Sequence, residues 1–228
     1  MNARATAILH ADELQYFLPL PVVRRRVSYL LGRYAAKRAL SAGLGNPAFT
    51  SINIVPGVFS NPIVCYPTGN PWQVSISHSD SLVCAIAFPT LHPMAVDVEC
   101  VDPEKVPAMA TQLSNTERAE LVSQGMDVTT ASTLLWTAKE SLSKALCTGL
   151  MCPFEVFEVH SITRISPSEF EGLYRNLAQY KFRSWIYDTN ILTITLPRRT
   201  EIVFDGGQPR IPSQSRAGAT AVNPRPQP

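Results

Sequence analysis

Residues 136–144 read Trp136-Thr-Ala-Lys139-Glu140-Ser-Leu-Ser-Lys144, inside a longer run from Ala131 to Leu150. Leu134, Leu135, Ala138, Leu142, Ala145 and Leu146 recur at steps of three and four, and Gly149 supplies a stop. That spacing predicts a helix. Glu140 and Lys144 stand four apart and share one face, with Trp136 one turn earlier. Alone, such a pair is a surface ion pair worth about 0.2–0.5 kcal/mol.

Two upstream stretches weigh against that plain reading. Residues 94–99 read Met94-Ala-Val-Asp97-Val-Glu99, a short apolar strand ending in two carboxylates. Side-chain direction repeats every two residues in a strand, so Asp97 and Glu99 share a face while Val96 and Val98 point to a core. Two adjacent carboxylates repel, and each favours protonation of the other. A hard divalent cation such as Mg²⁺ removes the conflict, since one or two carboxylates plus substrate phosphate suffice to hold it. A solvent-facing acidic strand end is the alternative. Residues 74–79 read Val74-Ser-Ile-Ser77-His78-Ser79, a second short strand ending in hydroxyls and an imidazole.

Together S-I-S-H-S at 75–79, A-V-D-V-E at 95–99 and W-T-A-K-E-S-L-S-K at 136–144 resemble, in order, the motifs of the 4′-phosphopantetheinyl transferases of the larger, single-chain Sfp-like type. Gly32-Arg33-Tyr-Ala-Ala-Lys37 resembles a further helix of that family, where an arginine approaches the 3′-phosphate of coenzyme A. An arginine fork suits a phosphate because it binds in two places. Gly32 costs its helix roughly 1 kcal/mol against alanine, which implies close packing or close approach of a ligand.

The resemblance implies two similar subdomains packed face to face, with coenzyme A in the cleft between them. It implies Mg²⁺ on Asp97, Glu99 and Glu140, and Lys144 on a pyrophosphate oxygen. Arg33, Lys37, Ser77, His78 and Lys139 become coenzyme A contacts, with Lys139 orienting the carboxylates or meeting phosphate. Glu140 resembles the residue that deprotonates an incoming serine, which makes Asp97, Glu140 and Lys144 the catalytic set. Where the family carries a basic residue before a proline, this chain has Asn61-Pro62. Both remain candidate contacts near the adenine. The implied partner is an apo acyl or peptidyl carrier protein, served by a monomer. Two other readings stay open: a non-catalytic relative binding coenzyme A or carrier proteins, and an unrelated Mg²⁺-dependent phosphohydrolase using Asp97 and Glu99.

Around these motifs, 228 residues with 45% hydrophobic and 17% charged content suit a folded α/β chain of the α+β kind. The halves are expected at 1–100 and 101–205, each a small antiparallel sheet with flanking helices, divided near Pro103 and Pro107. A net charge of +2 without basic runs argues against nucleic acid. No apolar stretch is long enough for a bilayer, and no signal-peptide pattern opens the chain. Five cysteines without C-x-x-C spacing fit a reducing cytoplasm.

Residues 6–10 read as a short strand and 11–18 as a helical turn. A helix over 22–42 is expected to bury Val23, Val27, Leu30, Leu31, Tyr34, Ala35 and Leu40 and to carry six basic residues on its opposite side, most of them solvated. Strand-like pieces lie at 51–55 and 63–66. Residues 74–77, 82–88 and 94–99 read as an antiparallel meander. Ser114-Asn-Thr-Glu117 is a capping box. Residues 153–165 look extended, 167–177 helical, 180–187 and 191–196 a hairpin, and 201–204 a further strand. Residues 206–228, rich in Gln, Pro, Ser, Arg and Ala, read as a disordered tail.

Overall fold

The computed structural model describes residues 1–65, 69 and 71–203. The expected tail at 206–228, and Tyr66 and Phe204 at the ends of two predicted strands, lie outside the described residues; 201–203 form no strand. The fold is α/β, with small antiparallel sheets and packed helices. Helices α1 (Asn2–Ile8), α2 (Ala11–Phe17) and α3 (Val23–Gly43) come first. Two strand pairs follow: β1 (Asn53–Pro56) with β2 (Pro62–Cys65), and β3 (Trp72–His78) with β4 (Val83–Pro89). Strand β5 (Ala95–Cys100) leads into α4 (Val106–Ala110), α5 (Asn115–Ser123) and α6 (Val128–Ala145). Strands β6 (Val159–Ser166), β7 (Glu169–Tyr174), β8 (Tyr180–Tyr187) and β9 (Asn190–Pro197) complete it.

The meander is only half realised. Strands β3 and β4 form the expected hairpin, but β5 pairs with β9 as the edge of a five-stranded sheet ordered β5-β9-β8-β7-β6. Between β3 and β5 serine side chains take the place of a backbone ladder. Ser75 Oγ accepts from Val96 N at 3.1 Å, and Ser77 Oγ accepts from Val98 N at 3.2 Å. A short polar side chain can satisfy a neighbouring backbone group as a strand would. The site is therefore assembled across a seam of side-chain bonds.

Helix α6 is the core helix, with twelve of its eighteen residues buried. It packs on the large sheet through Leu134, Leu135, Ala138 and Leu142, against Phe157, Phe170, Tyr174 and Phe182. Hydroxyls within that apolar layer pair with one another. Thr137 Oγ1 lies 2.7 Å from Thr193 Oγ1, Ser141 Oγ lies 2.7 Å from Thr195 Oγ1, and Tyr174 OH donates to Ala138 O at 2.9 Å. Buried polar groups that are satisfied cost little and specify one arrangement. They pin the rotation of α6, and so the direction in which Glu140 and Lys144 point.

Three expected elements differ. Phe154–Phe157, expected to be extended, form a short 3-10 helix before β6. Residues 2–8 form α1 rather than a strand, because Ala5 and Leu9 pack with Phe17 and Leu30 in a separate small core. Residues 169–174 form β7, not a helix; alternate residues Phe170, Gly172 and Tyr174 face inward at strand period. Helix α3 is also turned from its expected orientation. Val23, Val27, Leu31 and Tyr34 are exposed, while Gly32, Ala36, Lys37 and Leu40 face inward. No described helix is long and apolar enough to cross a membrane.

Gly172 sits directly opposite Phe182 across the β7–β8 ladder. A Cβ placed there would lie 2.4 Å from the Phe182 ring, so the ring occupies the missing side chain's space. Gly172→Ala should destabilise the protein by about 1–3 kcal/mol through overpacking, read as a lower urea midpoint at unchanged slope.

Candidate active site

The site forms where β3, β5 and α6 meet. Ser77 ends β3, Asp97 and Glu99 lie on β5, and Glu140 and Lys144 occupy successive turns of α6. Lys144 Nζ donates to Asp97 Oδ1 at 2.6 Å and to Ser77 Oγ at 3.0 Å. Ser77 Oγ–H in turn donates to the same Asp97 Oδ1 at 2.7 Å. Asp97 is buried, and its Oδ2 has no hydrogen-bond partner. An unpaired buried carboxylate oxygen is costly, so this atom is poised to meet a cation or a donor.

Glu99 projects outward and accepts from Lys105 Nζ at 2.9 Å. Glu140 is half-buried. Burial first, then the negative charges of Asp97 and Glu99, push its carboxyl up to about 7, against the lowering pull of Lys144. Burial works against the charge on Lys144, but Asp97 and Glu140 outweigh it and hold the ammonium above the ordinary lysine range. Among the described residues no three His, Cys, Asp or Glu side chains are gathered into a ready metal cluster. The donor set nevertheless fits a hard cation that keeps water ligands: it is all oxygen, one atom is orphaned, and a second carboxylate is held near neutrality by its neighbours.

Two adjoining cavities flank this junction. One, of about 500 Å³, is lined by Asn61, Pro62, Ser75, Ile76, Glu140 and Lys144 among others. The second, of about 320 Å³, is lined by Tyr16, Arg25, Tyr29, Arg33, Pro62 and His78 among others. Ser60, Pro62 and Ile76 border both, so the two lie side by side along one groove-like face. His78 is pressed against α3 where Gly32 leaves room; a Cβ on Gly32 would lie 2.9 Å from His78 Nε2. The implied close approach at Gly32 is therefore packing against the imidazole. Burial, then Lys144 and Arg33, lower the His78 pKa against a hydrogen bond to the Ser28 backbone, so the ring is neutral at pH 7.

The structure thus brings Ser77, Asp97, Glu140 and Lys144 together, and places Arg33, Asn61, Pro62 and His78 along the groove. It does not bring Lys37 or Lys139 there. Lys37 is fully buried on the far side of α3. Its Nζ donates to Glu13 Oε2 at 2.5 Å, Ile8 O at 2.9 Å and Phe49 O at 2.9 Å, which uses all three protons. The expectation that Lys37 meets phosphate gives way to a structural ion pair. Lys139 Nζ donates to Glu117 Oε2 at 3.0 Å and Gln112 O at 3.2 Å, beside a separate cavity. The expectation that it orients the carboxylates or meets phosphate is corrected likewise. The helix period held this signal: residues five apart diverge by roughly 140°, so Lys139 and Lys144 take different faces. Glu117 does more than cap α5, since it also accepts from Val159 N at 2.8 Å. Trp136 packs, stacking on Phe154 at 5.4 Å. Tyr16, Arg25 and Tyr29 at the groove, and Glu13 behind it, were missed: Glu13 and Tyr16 lie in residues 1–20, which carry no motif, and Arg25 and Tyr29 precede the Gly32-Arg33 motif on α3.

A family model described as the 4′-phosphopantetheinyl transferase superfamily matches residues 93–195. The chain is 38% identical over 89 residues to a holo-[acyl-carrier-protein] synthase of Streptococcus pyogenes, a stretch of 36% of this chain and 72% of that protein. It is 38% identical over 84 residues to a protein of the same name from Lacticaseibacillus casei, covering 35% of this chain and 67% of the relative.

The raised Glu140 carboxyl has a thermodynamic consequence. The folded protein holds its proton to about pH 7, whereas an unfolded glutamate loses it near 4.5. Between those values the folded state binds more protons, so this residue's contribution to stability falls as pH rises. In metal-free protein, Glu140→Gln should therefore raise the melting temperature relative to wild type at pH 8 and leave it nearly unchanged at pH 4.5, read by thermal scans across that range.

Proposed function

The chain belongs to the 4′-phosphopantetheinyl transferase superfamily and is an enzyme of that class, and from this premise we propose that it moves 4′-phosphopantetheine from coenzyme A to a serine of an apo acyl or peptidyl carrier protein. We read it as the larger, single-chain type acting as a monomer, with halves at 1–100 and 101–205 divided near residue 101. Strand β5 ends the first of these halves in sequence but pairs with β9 of the second. The observation that carries the reading is the Lys144–Asp97–Ser77 junction beside a near-neutral Glu140, opening on a groove that runs to Arg33 and His78.

In the reaction the serine Oγ attacks the pantetheine-side phosphorus. The bond to the bridging oxygen breaks, and that oxygen leaves on 3′,5′-ADP. Such a transfer is governed by positioning and charge neutralisation. Asp97, Glu99 and Glu140 would hold Mg²⁺, whose positive charge on the pyrophosphate supplies Lewis-acid stabilisation. Lys144 keeps its proton and offers Nζ–H to a pyrophosphate oxygen at the moment charge develops. Asp97 holds that ammonium in place at 2.6 Å. Glu140, whose carboxyl burial pushes up to about 7 in the metal-free protein, is placed to accept the serine proton, directly or through water. Neutral His78 and cationic Arg33 bind the nucleotide end, with Asn61 and Pro62 bordering the groove where adenine would lie. Phosphohydrolysis would need no such groove, and a binding-only relative no near-neutral carboxylate.

Intact masses of one apo acyl and one apo peptidyl carrier protein, after incubation with coenzyme A, Mg²⁺ and this protein, test the reading. A gain of one phosphopantetheine that a chelator abolishes is expected. Asp97→Ala and Glu140→Ala should lose at least 100-fold in rate while remaining folded, roughly the worth of a general base or a charge-stabilising group. Lys144→Ala should mainly raise the KM for coenzyme A. Full activity in the Asp97 or Glu140 variant overturns the assignment.

A further inference from the structure

Helix α2 lies outside every motif and outside the residues matched to the family, 93–195. Yet it contributes to the wall of the groove. Tyr16 of α2 lines the smaller cavity with Tyr29, their ring centroids 5.1 Å apart. One turn earlier on α2, Glu13 is buried, and its carboxylate reaches into α3. Its Oε2 accepts from Lys37 Nζ at 2.5 Å and from His10 N at 2.9 Å. Its Oε1 accepts from Ile54 N at 3.2 Å and lies 3.0 Å from Arg33 Nε.

These contacts fix the Arg33 guanidinium from behind. Nε faces Glu13, Nη2 donates to Ile54 O at 3.1 Å, and the guanidinium carbon stands 4.7 Å above the Tyr29 ring. The Tyr29 hydroxyl is also hydrogen-bonded to Arg33, and Arg33 lines the cavity that also receives Arg25 and His78. Arg33 Nε is buried beside Glu13 as an ion pair without a hydrogen bond; a guanidinium held by that charge, a carbonyl and a ring has little freedom left, which lowers the ordering cost of binding an anion.

We infer that Glu13 is a positioning residue: it aims Arg33 at a phosphate monoester bound in the smaller cavity, which makes α2 part of the ligand site. This rests on the reading of that groove as the coenzyme A site, where the monoester is the 3′-phosphate. Glu13 also cancels the charge of Lys37, so a structural role and a positioning role must be separated. The monoester makes that separation possible, because 3′-dephospho-coenzyme A lacks it.

The test is calorimetric binding of coenzyme A and 3′-dephospho-coenzyme A to the full chain, which does not require transfer. Wild type should bind coenzyme A at least tenfold more tightly. Glu13→Gln should weaken coenzyme A binding roughly tenfold, as expected for a charge-assisted contact that loses its alignment, and leave the dephospho form within about twofold. Glu13→Gln/Lys37→Met removes the uncompensated buried ammonium and keeps the fold accessible; it should show the same selective loss. Glu13→Asp should restore part of the preference. Arg33→Gln should abolish the preference, with no further loss when combined with Glu13→Gln. Equal weakening of both ligands, or an unaltered preference in the folded double variant, overturns the inference. Wild type binding both ligands alike also overturns it, while carrier-protein transfer measured by mass stays untouched.

Discussion

The site depends on one shared ammonium. Lys144 Nζ is bonded at once to Asp97 of β5 and Ser77 of β3, while standing on α6. Three elements from distant parts of the chain therefore meet at one charge. Withdrawing that charge from water is expensive unless it is paired and hydrogen-bonded, and this geometry supplies both. The pairing uses one oxygen of Asp97 and leaves the other buried and free. The same interaction that closes the seam thus leaves an unsatisfied anionic atom beside Lys144.

Two other lysines show what the site would be without that asymmetry. Lys37 with Glu13, and Lys139 with Glu117, are buried pairs whose nearby backbone groups complete the bonding. Each ties helices to strands and exposes almost nothing. Lys144 differs because its side chain is 29% exposed and borders an open cavity, so it remains available to a ligand. Three ion pairs of similar chemistry separate into scaffold and site according to what covers them.

Much of this was legible along the chain. The capping box at Ser114, the hairpin turning near Asn190 and the existence of α6 follow from local rules, and all are present, though α6 spans Val128–Ala145 and ends before the expected stop at Gly149. So is the shared face of Glu140 and Lys144, because four residues are about one turn. Errors arose where burial depended on distant partners. Helix α3 was oriented by its aliphatic stripe, yet it buries Gly32, Lys37 and most of Arg33, because Glu13 neutralises the charges and His78 needs the space of a missing Cβ. Strand β7 read as helical because short segments carry weak periodicity, and the sheet decided it.

What the sequence by itself determined is the set of chemical groups and their local order: two carboxylates on one strand, a carboxylate and a lysine one turn apart, and a serine-histidine strand end. Local geometry has short range and fixed period, so it can be read without partners. The tertiary structure decided which charges face the groove, that β5 joins the five-stranded sheet, and that serine hydroxyls bridge it to β3. It also recruited α2 to the wall beside Arg33. These outcomes turn on desolvation and pairing between residues far apart in the chain, quantities that no local pattern carries.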